Sequence, residues 1–452
     1  MEQTNTYLKT VPFNELLFWD VKMNLLETLS FNYPTVRLNK VLSKTQIEWV
    51  EISDEKEYPI LGVRAQGKGV YINRIAKGKE LKMRKYQVSK PFSLFYCKVR
   101  TVKGQWGIVY PEFANSFGSS NMNYLDVDFN KISAEYLMML LKSEKITNQW
   151  DKNSVGADGR HFPLKTMLNL KIPLPPLPEQ NRIVAEYNQK IQLAQQQEQE
   201  ANDLEQVIED YLYNSLKLDK NVVQQKEKGL QFTSLNQTSR WDTLFLIGNM
   251  PVLETSYPIK QFRDVVVKFN KGPKNESIRV NSKDYPNDEF VYIGMEHIEK
   301  ETGNLLDVVK VKGKEIKSQT LRVPQDYLLY GKLRPYLNKY WINETSYDNI
   351  ICSSEFFVFD IKTGVNKQFF KYVLSSSFIQ QQITDKTSGA RMPRINETIF
   401  YNLQFPLPDF NKQNEIANHI DGLKNQIKDL RKKANANREE AIFNFEQEIF
   451  NA

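Results

Sequence analysis

Histidine and cysteine are scarce in this sequence, three and two among 452 residues. His161, His297 and His419 lie far apart, so the ligand spacing of a Cys/His metal site is missing. They also leave little material for a Ser/His/Asp or Cys/His catalytic set. Cys97 and Cys352 cannot build a disulfide framework and suit a reducing cytoplasm. No stretch approaches the ~18 consecutive apolar residues of a membrane span. The opening stretch MEQTNTYLKTVPFNELLFWD has no basic region followed by an apolar one, so no secretory leader is expected. Phosphate-cradling loops of the G-x-G-x-x-G and G-x-x-x-x-G-K-[ST] kinds are absent. Asp126 and Asp128 form an acidic pair, read here as solvated acids at a strand end rather than as a nuclease site. What remains after these exclusions is a binder rather than a catalyst.

The material present is that of an ordinary soluble protein, with 40 % apolar, 12 % aromatic and 25 % charged residues. The length allows about two to four domains. A formal net charge of +7 is a mild excess that favours a polyanionic partner.

The chain repeats itself once, at an offset of about 233 residues. NLKIPLPPLPEQNRI at Asn169–Ile183 returns as NLQFPLPDFNKQNEI at Asn402–Ile416, with identities at Asn169, Leu170, Pro173, Leu174, Pro175, Gln180, Asn181 and Ile183. Weaker echoes precede it in the same order. FWD (Phe18–Asp20) parallels RWD (Arg240–Asp242), YPTVRLNKV parallels YPIKQFRDV, and LFYCKVR parallels LLYGKLR. Ser119, Ser120 and Asp126 match Ser353, Ser354 and Asp360, and Gly156-Ala157 matches Gly389-Ala390. Two copies of one unit imply a pseudo-twofold arrangement, which suits presenting two similar surfaces to one duplex.

Each copy reads as a mixed α/β domain with a curved sheet, followed by a long helix. GVYINRI, FSLFYCKV, EFVYIGM, DYLLYGKL and SEFFVFDI are strand-like, while AEYLMMLLKSEKI and KQFFKYVLSSSFIQQQI carry helical spacing. The Pro-rich strings end the sheets and suit the first turn of a helix. Beyond the first of them about 40 residues run without Gly or Pro, a rod of roughly 60 Å, and the C-terminal stretch Asn411–Phe450 is about as long. The seam of the first rod is Ile183, Tyr187, Ala194, Ala201, Leu204, Ile208 and Tyr211; that of the second rod is Ile416, Ile420, Leu423, Ile427, Leu430, Ala434 and Ala441. Equal length invites intramolecular antiparallel pairing; packing of each helix on its own domain, or homodimerisation, are the alternatives. The expected organisation is an α/β (α+β) twofold repeat with domains at 1–176 and 219–408 and spacer helices at 177–218 and 409–452. Residues 219–239 are the linker.

Basic residues recur at matching places. Arg74, Lys77, Lys79, Lys82, Arg84, Lys85 and Lys90 crowd one run with only Glu80 opposing them; Lys310, Lys312, Lys314, Lys317 and Arg322 stand at the aligned place. Such clusters neutralise phosphates, although a solvated face reads the same way. Two loops add Lys98 and Arg100, aligned with Lys332 and Arg334, and Arg160 with His161, aligned with Arg391 and Arg394. A loop arginine can fork onto guanine O6 and N7, bind phosphate, or cap a helix.

These features together resemble the specificity subunits of type I restriction-modification systems. IPLPPLPEQNRIV before an amphipathic helix is the most specific element, and GKLRPYL, SGARMPRIN and RWD are also similar to that family. In the second copy PLPDFNKQNEI departs from the Pro-rich string, with Lys412 in place of the acid. The resemblance implies two target-recognition domains, each reading half of a split double-stranded DNA site, with the paired helices as a ruler. It implies a non-catalytic cytoplasmic chain with no cofactor and no membrane attachment. Two methylation subunits carrying S-adenosylmethionine would dock on it, with restriction/translocase subunits using ATP and Mg. The absence of the Asn/Asp-Pro-Pro-aromatic tetrad of amino-methyltransferases agrees with that division and speaks against a single-chain enzyme. A coiled-coil scaffold for protein partners, or an orphan specificity subunit, are the competing readings.

Overall fold

The computed structural model describes residues 29–65, 67–98, 104–152, 164–219, 253–269, 278–308, 310–317, 319–384 and 392–450. The parallels drawn from FWD, RWD and the Gly-Ala pairs lie outside the described residues, as do Arg100, Arg160, His161, Arg391 and nearly all of the linker. The chain divides into two compact units, residues 1–198 with 432–452, and residues 199–431.

In the first unit β1 (Thr35–Arg37), β2 (Leu42–Lys44), β3 (Trp49–Glu51), β4 (Glu57–Val63), β5 (Val70–Lys77), β6 (Lys85–Val88), β7 (Ser93–Cys97), β8 (Trp106–Ile108), β9 (Phe117–Gly118) and β10 (Met122–Val127) precede three helices. These are α1 (Ala134–Lys142), α2 (Glu144–Lys152) and α3 (Leu164–Asn169), followed by β11 (Lys171–Pro173) and the long α4 (Leu177–Ser215). The second unit continues with β12 (Ile259–Gln261), α5 (Phe262–Val265), β13 (Val266–Lys268), β14 (Arg279–Val280), β15 (Glu289–Ile293), β16 (Lys310–Lys312), β17 (Thr320–Arg322), β18 (Leu328–Gly331), β19 (Tyr340–Ile342), β20 (Ile350–Ser353) and β21 (Phe356–Ile361). Then come α6 (Lys367–Ser375), α7 (Ser377–Thr384), α8 (Glu397–Tyr401), β22 (Gln404–Pro406) and the long α9 (Phe410–Ile449).

The duplication extends to strand order. The first unit pairs β2-β10-β7-β8, β3-β6-β9-β4-β5 and β1-β11; the second pairs β13-β21-β18-β19, β14-β17-β20-β15-β16 and β12-β22. Among the described residues each unit therefore holds a four-stranded, a five-stranded and a two-stranded sheet, where the sequence suggested one curved sheet. The strands are too short to carry one continuous surface: most span three to six residues and several are followed directly by 3-10 turns.

The strands form where β-branched and aromatic residues alternate or run together, and the four-stranded sheets bury both faces. Leu94, Phe95 and Tyr96 on β7 are completely buried, as are Leu328, Leu329 and Tyr330 on β18. Apolar residues from α1 (Tyr136, Leu137, Leu140, Leu141) and α6 (Phe369, Phe370, Tyr372, Val373) pack against these sheets. Each buried leucine contributes roughly 1.5–3 kcal/mol relative to exposure.

The two apolar helical patterns each break once, at Ser143 and Ser376. Both serines leave the helix in extended conformation, with ψ of 141° and 150°. The Ser143 hydroxyl accepts from Ile146 N, competing with the helical backbone and starting α2.

The long helices pair antiparallel within each unit. In the first, Arg182, Lys190 and Glu198 of α4 meet Glu448, Glu440 and Arg438 of α9 at 2.8, 2.7 and 3.3 Å. In the second, Glu205 meets Arg431 at 3.0 Å and the Tyr211 and His419 rings lie 4.0 Å apart. Small residues allow the close approach: Ala194, Ala201, Ala434 and Ala441 are almost wholly buried. The helices do not simply pack on their own domains. Ile183 of α4 lies in the first unit's core, and Leu212 of α4, with Leu216 just past its end, in the second's. Conversely Ile416 and Ile420 of α9 belong to the second unit's core, and Phe445 and Ile449 to the first's.

Candidate nucleic-acid interface

Each basic run begins on the outer strand of its five-stranded sheet, continues through the 3-10 turn that follows, and reaches an inner strand at Lys85 on β6 and Arg322 on β17. β5 pairs with β4 on one side, and β16 with β15. The turns are Gly78–Glu80 and Gly313–Glu315, both spelling Gly-Lys-Glu after a lysine. With the residues on either side they read Lys-Gly-Lys-Glu-Leu-Lys at 77–82 and Lys-Gly-Lys-Glu-Ile-Lys at 312–317. Sequence reasoning placed both runs together but missed this near-identity, which a residue-by-residue alignment of the runs displays.

Each glycine has a packing reason. A Cβ on Gly78 would stand 2.0 Å from Ser53 O, and one on Gly313 would stand 2.2 Å from Tyr285 O. Leu81 and Ile316 anchor the turns inward, and the Glu80 carboxylate accepts the Lys77 N–H at 3.3 Å. The lysine side chains do none of this structural work. Lys77, Lys79, Lys82, Lys312, Lys314 and Lys317 are all exposed, and among the described residues no ion pair holds them.

The other basic residues of the first run differ. Arg84 pairs with Asp54 at 3.0 Å, Lys85 with Glu51 at 3.0 Å and Lys90 with Asp126 at 2.6 Å. Glu80 is therefore not the sole acid near the run, because strand pairing brings in carboxylates remote in sequence. Arg74 is exposed on β5 beside exposed Ile75.

Lys98 and Lys332 occupy equivalent places, and each folds its ammonium onto a main-chain carbonyl. Lys98 donates to Ser120 O at 2.8 Å, and Lys332 to Ser354 O at 2.6 Å. Burial holds the Lys332 ammonium below the usual lysine range. It also lies over the Phe357 ring at 4.9 Å.

The structure joins the two arginine loops of the second unit. Leu333 and Arg394 form an antiparallel bridge. Arg334 N donates to Pro393 O at 2.8 Å and Ile395 N to Lys332 O at 3.0 Å. Arg334 itself is left-handed, φ 49° and ψ 60°, a conformation costing a non-glycine residue about 1–2 kcal/mol. Such strain persists only where the surroundings over-determine it. Its side chain is exposed, beside exposed Tyr336. Arg394 is instead forked onto Glu355 through two contacts of 3.2 Å. The Lys312–Lys317 turn and this loop lie at opposite ends of β15, because Lys312 pairs with Glu289 while Lys339 donates to Met295 O at 2.6 Å.

Among the described residues no cluster of three or more His, Cys, Asp or Glu side chains is placed to hold a metal ion. No helix there is long and apolar enough to cross a membrane.

A doubled α/β unit with antiparallel long helices and twice-repeated lysine turns matches one known family over most of its length. The model of the type I restriction modification DNA specificity domain matches residues 35–206 and again 260–438. The chain belongs to that family, whose specificity subunits are non-catalytic and recognise DNA sequence within restriction-modification systems. It is similar to the EcoDI specificity subunit of Escherichia coli, 27 % identical over 145 residues, 31 % of this chain and 30 % of that protein. The match thus spans under a third of the curated relative's length. A solved structure from work on complex assembly and conformational transition of the type I R-M system is similar in fold. Its TM-score is 0.56 at 14 % identity, over 93 % of this chain and 97 % of that one. The HsdS subunit of Thermoanaerobacter tengcongensis aligns over 92 % of this chain and 96 % of its own, with TM-score 0.44 and 14 % identity.

Proposed function

We propose that this chain reads a bipartite double-stranded DNA target, one half through each unit, and directs adenine methylation and restriction by partner subunits. The carrying observation is the duplication itself: the same three sheets in the same strand order, each with an exposed lysine turn on the outer strand of its five-stranded sheet. A duplex offers two similar faces along its axis, and a doubled reader suits a split site. Residues 1–176 and 219–408 are assigned as the recognition domains, with 177–218 and 409–452 as spacers. Arg74, Lys77, Lys79, Lys82, Arg84, Lys85, Lys98, Arg100, Arg160, Lys312, Lys314, Lys317, Lys332, Arg334, Arg391 and Arg394 are the proposed DNA-facing set. Two methylation subunits would bring S-adenosylmethionine, and restriction/translocase subunits ATP and Mg, in the cytoplasm.

The test is methylome mapping. The chain is co-expressed with its neighbouring methylation subunit in a methylation-free host, and the genome is sequenced for modified adenine. A single split motif with a fixed gap supports the reading. A soluble complex with an active partner and no modified motif overturns it, and favours an orphan subunit or protein scaffold.

A further inference from the structure

Resting on that DNA-reading assignment, we infer that the two Lys-Gly-Lys-Glu-Leu/Ile-Lys turns are paired grips on the sugar-phosphate backbone: they supply affinity common to both half-sites and carry no sequence information.

The fold dictates some positions of each turn and leaves others open. Gly78 and Gly313 are required by backbone carbonyls within 2.0–2.2 Å of a would-be Cβ. Leu81 and Ile316 are buried, and the Glu80 carboxylate caps the backbone N–H of Lys77. Packing therefore accounts for the glycine and the apolar residue of both turns, and the backbone bond accounts for the acid of the first. It does not account for Lys77, Lys79 and Lys82, or for Lys312, Lys314 and Lys317. Those side chains are exposed, and no ion pair among the described residues holds them. Any polar residue would serve the fold there, yet all three lysines recur in both units.

What recurs in both units cannot distinguish two half-sites of different sequence. It must meet something that every half-site shares, and on duplex DNA that is the phosphate backbone. Lysine suits such a contact, because a hydrated point charge on a flexible stem tolerates the varied distances of non-specific binding. Several neighbouring cations of the DNA-facing set differ from these lysines in already having partners within the protein. Arg84 and Lys85 already face Asp54 and Glu51, while Lys98 and Lys332 donate to main-chain carbonyls. Sequence readout then falls to residues in which the two units differ.

The experiment uses the full chain in complex with its methylation subunits. Two triple variants are made, Lys77→Ala/Lys79→Ala/Lys82→Ala and Lys312→Ala/Lys314→Ala/Lys317→Ala, each with an all-arginine version that keeps the charge. Duplex affinity is measured against salt concentration, the methylated motif is mapped, and thermal unfolding verifies the fold. Each alanine triple is expected to flatten the log–log salt slope by about 2.7, from ~0.9 per phosphate contact, with an affinity loss on the order of a hundredfold near 0.1 M salt. The two triples should act equally, the arginine versions should restore binding, and the motif should stay intact. An unchanged salt slope overturns the inference, as does a motif that degenerates at one half-site. Failure of the unsubstituted complex to bind any duplex would overturn the underlying DNA-reading assignment, and the backbone grips with it.

Discussion

The Gln180 side chain accepts the backbone N–H of Ser133 at 2.9 Å, locking the start of the first long helix to the N-cap of α1. Its amide donates to Lys131 O and Pro175 O, both at 2.8 Å. Gln413 repeats the arrangement: it accepts Asn366 N at 2.8 Å and donates to Gly364 O and Pro408 O. Both glutamines are almost fully buried. Glutamine fits because it both donates and accepts, which neither glutamate nor leucine does.

Replacing either glutamine strands one buried and two part-buried main-chain groups. Gln180→Ala and Gln413→Ala are each expected to cost about 2–4 kcal/mol, since an unpaired buried polar group costs ~1–3 kcal/mol and two or more lose partners. Gln180→Glu should not rescue, because a carboxylate would face two carbonyl oxygens. Denaturant unfolding of the full chain measures both effects, and a loss below about 1 kcal/mol would contradict them.

The turn glycines make a sharper contrast. Gly78→Ala and Gly313→Ala drive a methyl into a backbone carbonyl and should destabilise by about 3 kcal/mol or more. Gly69→Ala meets nothing within 4 Å and suffers only from its φ of +87°, a cost of about 1 kcal/mol. Calorimetric ranking of the three variants checks the order.

Arg334 separates stability from binding. Arg334→Gly relieves the left-handed backbone while loosening the unfolded chain, so the net change in stability should stay within about 1 kcal/mol. Duplex affinity should fall with the lost guanidinium. Parallel unfolding and binding measurements decide this; full binding by the variant would remove Arg334 from the interface.

Acid and alkali should act on one cluster of the first unit. Arg182, and then Tyr33, hold the Glu179 carboxyl below its usual range through hydrogen bonds. Its folded value is thus depressed, so its contribution is present above the unfolded value of about 4.3 and is lost as pH falls through the lowered folded value. Tyr33 is raised, by burial and by its bonds to Glu448 and Glu179 at 2.5 and 2.9 Å. Its contribution is full below about pH 10 and fades above that. Glu179→Gln should flatten the acid limb of a stability–pH curve, and Tyr33→Phe the alkaline limb.

The duplication and the long helices were legible in the sequence because both repeat a local pattern: a Pro-rich string, then a helical seam. Ile183, Ala194 and Ala201, and Ile416, Ile420, Ile427, Ala434 and Ala441, are buried as that seam implies. The seam reading stopped short of Leu212 and Leu216, and of Phe445 and Ile449, which enter cores far away along the chain. Periodicity says that a face is apolar but not what covers it. The candidate site shows the same boundary. Exposed lysines on a turn are visible in sequence; the Arg84–Asp54 and Arg394–Glu355 pairs are not, because chain reversal brings their acids in. The split at Ser143 and Ser376 was likewise hidden, since one serine leaves an apolar period intact.

The sharing of α9 between two cores has a consequence for biosynthesis. Phe445, Ile449 and Phe450 complete the core around Leu140, Ile172 and Ile183, and Asn32 donates to Gln447 O and Glu448 O. The unit whose strands are translated first therefore waits for the C-terminal turns of α9 before its core can close. A premature stop near residue 431 would spare the second unit's own segment, 199–431, and leave the first unit incomplete.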